Sequence, residues 1–149
     1  MATLSPIVRV LVVEDFKPFR RLICSMISQM PQLQIVGEAS DGLEAVRKAG
    51  ELRPELILLD IGLPTLNGIE AARRIRARAP DSKLIFVSQQ SDLNVVQEAL
   101  NLGALGYVVK TRIGRDLLPS VEAVILDRQF VSPTLAVRQA FPNAQDAAL

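Results

Sequence analysis

Ile7-Val8-Arg9-Val10-Leu11-Val12-Val13 is an almost unbroken apolar run, and Glu14-Asp15 follows it at once. A strand with one wet face alternates apolar and polar side chains. This one does not, so it reads as a strand covered on both faces, as in a parallel sheet. Just beyond it, Phe19, Leu22, Ile23, Met26, Ile27 and Met30 recur at the three-four spacing of one helical face. Pro18 suits the first turn of that helix, and Pro31 follows its end.

The same alternation continues to residue 126. Leu33 to Ala39 reads as the second strand, with Gln34 and Glu38 placing it towards an edge. Asp41 and Glu44 form a capping-box pattern for a helix carrying Leu43, Val46 and Ala49, closed by Gly50. Glu55 to Leu59 is the third strand, ending at Asp60; a loop with Gly62 and Pro64 leads to Gly68 and a helix with Ile69, Ala72 and Ile75 inward. Lys83 to Val87 is the fourth strand, and Ser91 is the expected cap of a helix bearing Leu93, Val96, Ala99 and Leu100 that Gly103 ends. Leu105 to Val109 is the fifth strand and Ile113 to Leu126 the fifth helix, with Pro119 in its early part. Strands joined by helical crossovers imply a parallel sheet with right-handed connections. The expected fold is α/β: a flavodoxin-like, doubly wound, five-stranded parallel sheet of order 2-1-3-4-5 with helices on both faces. Residues 1–128 form the expected domain, and residues 129–149 a tail or linker with a short helix from Ser132 to Phe141.

Composition removes several classes of function. With a net charge of +1 there is no reason to expect a nucleic-acid or membrane surface. The apolar runs are strand-length, far short of the roughly 18 residues a membrane span needs, and no signal-peptide pattern opens the chain, so a cytoplasmic location is expected. The single cysteine, Cys24, sits in a helical pattern and reads as a structural thiol. There is no histidine. That removes the commonest metal ligand and any histidine-assisted nucleophile, so a metal here would be a hard cation held by oxygens.

The chemically useful residues all fall at strand ends. Glu14 and Asp15 follow the first strand, Asp60 the third, Ser88 the fourth and Lys110 the fifth. In an open parallel sheet those ends share one edge, with a crevice where the strand order reverses. Three carboxylates gathered there repel one another and need a counter-ion. Lys110 supplies one positive charge and Mg²⁺ is the natural source of the rest. Such a site can accept a phosphoryl group: Asp60 attacks, Glu14 and Asp15 hold the metal, Lys110 pairs with the phosphoryl oxygens and Ser88 donates to one of them. Taken singly, each residue also has a plain structural reading, as a turn, a cap or a surface lysine. Arg73, Arg74, Arg76 and Arg78 read first as a solvated helix face, with partner docking as the alternative.

Glu14-Asp15, Leu58-Leu59-Asp60-Ile61-Gly62-Leu63-Pro64 with Gly68, Ser88, and Gly106-Tyr107-Val108-Val109-Lys110 together resemble the motifs of response-regulator receiver domains, over about residues 7–128. The resemblance implies an aspartyl-phosphate at Asp60 and Mg²⁺ bound by Glu14, Asp15, Asp60 and the backbone carbonyl of Gly62. It implies a switch in which Ser88 moves towards the phosphoryl group and Tyr107 repacks inward. It also implies a sensor histidine kinase or phosphotransfer protein as donor, a homodimer as an admissible assembly, and a phosphoacceptor that at most assists its own phosphorylation and dephosphorylation rather than an enzyme.

Two positions depart from the usual receiver pattern. Gln89 stands where a small residue is usual and crowds the expected phosphoryl pocket; Thr111 follows Lys110 where many receivers have proline. With Phe130-Val131-Ser132-Pro133, the latter resembles the subgroup whose output is a LuxR-type helix-turn-helix. A helix-turn-helix needs several helices, for which these 149 residues leave no space. The chain therefore reads as a stand-alone receiver or as the receiver and linker start of a longer transcriptional regulator. A pseudo-receiver scaffold is the alternative function. A haloacid-dehalogenase-type phosphatase fits less well, because the second acid such enzymes place two residues on is Gly62 here. A nucleotide-binding module fits less well again, because no glycine-rich loop follows the first strand.

Overall fold

The computed structural model describes residues 6–133 and residue 135. Strands β1 (Val8–Val13), β2 (Leu33–Ala39), β3 (Leu56–Leu59), β4 (Lys83–Ser88), β5 (Gly106–Val109) and β6 (Phe130–Val131) alternate with helices α1 (Lys17–Ile27), α2 (Gly42–Leu52), α3 (Gly68–Arg78), α4 (Leu93–Asn101) and α5 (Ile113–Ile125). The strands form one sheet of order β2-β1-β3-β4-β5-β6, and every pairing is parallel. The expected doubly wound order holds through β5, and β2 lies at the edge as its polar residues suggested.

The lack of alternation in β1 has its cause in two separate cores. Leu11 and Val13 pack with Val46, Ile69, Ile75, Val96 and Ala99 of α2, α3 and α4. Val10 and Val12 pack on the other face with Ile23 and Ile27 of α1 and Leu117, Val121 and Val124 of α5. Successive strand side chains point to opposite faces, so a strand covered on both sides must be apolar throughout.

Several expectations need correction. The sheet has a sixth strand, β6, on the outer edge of β5, with Tyr107 paired to Val131. Leu22 and Leu43 are 44% and 51% exposed, so neither joins the core face assigned to it. Helix α2 continues past Gly50 to Leu52 and ends at Arg53 in the left-handed region, φ 46°. The cap of α4 is Asp92, whose carboxylate accepts from the Asn94 N–H, rather than Ser91. Asp41 does cap α2, with the Glu44 N–H donating to Asp41 Oδ1 at 2.9 Å, while the Glu44 carboxylate pairs with Lys48 at 3.2 Å. Pro119 lies inside α5 without ending it. Ser132 is buried, and its Oγ accepts from the Val109 N–H at 3.0 Å. Leu135 is buried in the core beside Tyr107 and Val109. The rest of the helix expected to reach Phe141 lies outside the described residues. Among those residues, no helix is long and apolar enough to cross a membrane.

Candidate functional site

The C-terminal ends of β1, β3, β4 and β5 converge because the parallel register brings them level: Val13 pairs with Leu59, Leu59 with Phe86, and Ser88 with Val109. The chain leaves each strand at that edge. The Asp60 N–H donates to the Val13 carbonyl at 3.2 Å and the Glu14 N–H to the Ala39 carbonyl at 3.0 Å, which pins both acids to the sheet. The loop after Asp60 is closed by the Gly68 N–H on the Ile61 carbonyl at 2.7 Å. Gly68 must be glycine: a Cβ there would lie 1.9 Å from the Asp60 carbonyl oxygen, so α3 starts hard against the backbone of Asp60.

Glu14, Asp15, Asp60, Gly62, Ser88 and Lys110 line one cleft of about 520 Å³, together with Phe16, Phe19, Gln89, Gln90 and Thr111. Glu14, Asp15 and Asp60 each present a carboxylate oxygen, all within 4.8 Å of one another. The Lys110 ammonium sits between two of them, 2.5 Å from Glu14 Oε1 and 2.9 Å from Asp60 Oδ2. On its other side it faces the Phe19 ring, 4.7 Å from the centroid. The second oxygen of Asp60 accepts from the Ile61 N–H at 2.7 Å, and Glu14 Oε2 from the Phe16 N–H at 3.0 Å. Arg20 donates to the Glu14 carbonyl at 2.8 Å, bracing the turn from behind.

Charge is out of balance here. Burial pushes the Glu14 carboxyl above its ordinary value, although Lys110 and the Phe16 N–H pull it back in part. Burial opposes the Lys110 charge, yet Glu14 and Asp60 outweigh it and hold the ammonium above the ordinary lysine value. Both groups thus bind their protons more tightly, Glu14 chiefly through burial and Lys110 through its two carboxylate partners. Glu14 Oε1 is moreover a buried oxygen with no aligned hydrogen bond among the described residues. Three carboxylate oxygens within 4.8 Å of one another, with the Lys110 ammonium against two of the acids, fit a hard divalent cation.

Tyr107 does not line the cleft. Its ring is fully buried against Phe86, and its hydroxyl donates to the Gln90 carbonyl at 2.7 Å. Ser88 Oγ accepts from the Gln90 N–H at 3.1 Å, so serine and tyrosine both hold the segment after β4. Burial pushes the Tyr107 hydroxyl up to about 12, against a partial lowering by Ser88. Tyr107 is thus buried in this structure, with its hydroxyl on the segment after β4. Sequence reasoning missed Phe19 as a site residue, because its spacing marked it only as part of a core face. It also missed the backbone N–H donors on Asp60 and Glu14, which no side-chain pattern reveals. Cys24 is half-buried, and burial raises its thiol to about 11, which leaves it a poor nucleophile.

A family model for the response regulator receiver domain matches residues 10–122. The chain belongs to this family. Among similar proteins, the response regulator GacA of Pseudomonas viridiflava is 32% identical over 138 residues, which cover 93% of this chain and 64% of that protein. The receiver thus spans less than two thirds of that relative's length. A protein-glutamate methylesterase/protein-glutamine glutaminase of Thermotoga maritima is 42% identical over 106 residues, 70% of this chain and 30% of that protein. Among solved structures, a LuxR-family two-component response regulator from Aurantimonas sp. SI85-9A1 superposes with a TM-score of 0.86 at 30% identity, covering 90% of this chain and 96% of that one. A receiver domain is a phosphoacceptor module, and the acids and lysine gathered at the strand ends suit that role.

Proposed function

We propose that this receiver is a switch thrown by phosphorylation of Asp60, with a sensor histidine kinase or phosphotransfer protein as donor. The observation that carries the reading is the Lys110 ammonium held between Glu14 and Asp60 at the rim of the sheet, with Asp15 alongside. In the transfer, an Asp60 carboxylate oxygen attacks phosphorus. The new O–P bond forms as the P–N bond to the donor's imidazole breaks, and that electron pair stays on the nitrogen. Lys110 then pairs with a phosphoryl oxygen, and the Ser88 hydroxyl donates to another. Glu14, Asp15, Asp60 and the Gly62 carbonyl would hold Mg²⁺, which when bound neutralises the charge on the carboxylates and the phosphoryl oxygens.

The phosphoryl group adds about 1.5–2 negative charges where Ser88 and Tyr107 meet the segment after β4. Drawing Ser88 towards that charge releases its hold on the Gln90 N–H and shifts the balance of the segment and of α4, which changes what binds there. The chain serves as a switch rather than as an enzyme acting on a separate substrate, and it works in the cytoplasm. Homodimer formation is one route to its output. Residues 1–128 carry the switch, and residues 129–149 are the tail, whose start is fastened to the sheet by β6. Alone, this chain binds no nucleic acid. Resemblance to the LuxR-type subgroup points to a transcriptional regulator as the larger setting.

Incubation with acetyl phosphate and Mg²⁺, read by intact mass, tests the reading. Gain of a single phosphoryl group is expected, lost on adding a chelator and lost in Asp60→Asn. Unchanged mass with the metal present, or undiminished labelling of Asp60→Asn, would overturn it. A pseudo-receiver scaffold predicts the first of those failures.

A further inference from the structure

The Lys110 side chain has four rotatable carbons and ends in a compact charge, so something must aim it. Its ammonium is largely shielded, at 12% side-chain exposure, and its known contacts are Glu14, Asp60 and the Phe19 ring. Glu14 and Asp60 are acids that the phosphoryl-transfer reading gives other work, one on the metal and one on phosphorus. The Phe19 ring is the contact that keeps its partner throughout. It is well placed to do so: α1 carries it one turn past Phe16, with Pro18 in the first turn, and its ring packs on the core of α1 and α5 while lining the cleft. Ring faces attract ammonium groups at up to about 6 Å, and 4.7 Å lies inside that reach. Phe16, the other aromatic residue at the cleft, is 62% exposed and serves the site through its backbone N–H instead.

We propose that Phe19 is a positioning residue for phosphoryl transfer: its ring face holds the Lys110 ammonium in place while Glu14 and Asp60 change partners. This deepens the reading of Asp60 as phosphoacceptor and rests on it. Phe19→Leu keeps the apolar bulk and loses the ring; Phe19→Tyr keeps the ring face. Labelling by acetyl phosphate with Mg²⁺ is followed in both variants, alone and in a Lys110→Met background, with urea midpoints measured in parallel. Phe19→Leu is expected to slow labelling by between several-fold and about thirtyfold, and Phe19→Tyr to restore it. In the Lys110→Met background the leucine change should have little further effect, because the contact is already gone. A purely structural role would instead slow both backgrounds alike, in step with the urea midpoints.

Wild-type labelling in Phe19→Leu, or an equal loss in both backgrounds, would overturn the proposal. The Lys110 ε-methylene proton resonances give a second readout that needs no phosphorylation. Ring-current shifts are expected in the wild type and in Phe19→Tyr and should vanish in Phe19→Leu; their absence in the wild type would remove the contact itself. Should the wild-type chain accept no phosphoryl group, the reading of Asp60 fails on its own, and these resonances still decide whether the ring holds the ammonium.

Discussion

Tyr107 is the chain's only tyrosine and no tryptophan accompanies it, so its ionisation can be watched without interference. Burial holds its hydroxyl at about 12 against an ordinary 10.0. The folded protein therefore keeps the phenol protonated where the unfolded chain would lose the proton. The stabilising contribution is complete below pH 10 and is lost as the pH rises from 10 through about 12. An ultraviolet titration should show tyrosinate absorbance rising only near pH 12, and near pH 10 once the chain is unfolded in urea. Titration of the folded chain near 10 would mean that the ring sits outward in solution. At this scale the sequence was informative about acids and bases and silent about geometry. Asp60, Glu14, Asp15 and Lys110 could be placed because they follow strands, and a strand's end has one position in a parallel sheet. Phe19 could not, because the spacing that marks a core residue does not say whether its ring face meets a cation.

Between elements, the start of α3 is seated hard against the Asp60 loop. Gly68→Ala would put a methyl group 1.9 Å from a backbone oxygen. Backbone cannot swing aside as a side chain can, so the change should cost about 3 kcal/mol and disturb Asp60 as well. Gly62→Ala is the control: nothing lies within 4 Å of its Cβ position, and its effect should stay within about 0.5 kcal/mol. Urea melts of the two variants check this, and equal losses would show that the loop is not seated on Asp60 as described. Helix and strand types followed from apolar periodicity, but their ends did not. Ser91 and Asp92 are adjacent good caps, and nothing local chooses between them. Leu22 and Leu43 carry the right spacing yet lie at the margins of their helical faces, where burial depends on what packs opposite.

For the whole molecule, the two-residue strand β6 was invisible because so short a run has no period. Its pairing depends on β5 having an open edge, which is a property of the assembled sheet. Together with Ser132 and Leu135 it fastens the tail to the strand that carries Tyr107. A chain ending at residue 128 would lose the burial of Leu135 and leave the buried Val109 N–H without its partner. It should be less stable than one ending at residue 135 by about 2–4 kcal/mol. Matching urea midpoints for the two chains would show that the segment does not dock.

The chemistry assigned to the sheet edge stands on one carboxylate being the atom that bonds to phosphorus. An acyl phosphate is reduced by borohydride to the alcohol, which marks the modified aspartate as homoserine, whereas a phosphorylated hydroxyl is not reduced. After labelling with acetyl phosphate and Mg²⁺, reduction and peptide mapping should find homoserine at position 60 alone. Homoserine at Asp15 or Asp41, or a borohydride-resistant phosphate on Ser88 or Thr111, would contradict it.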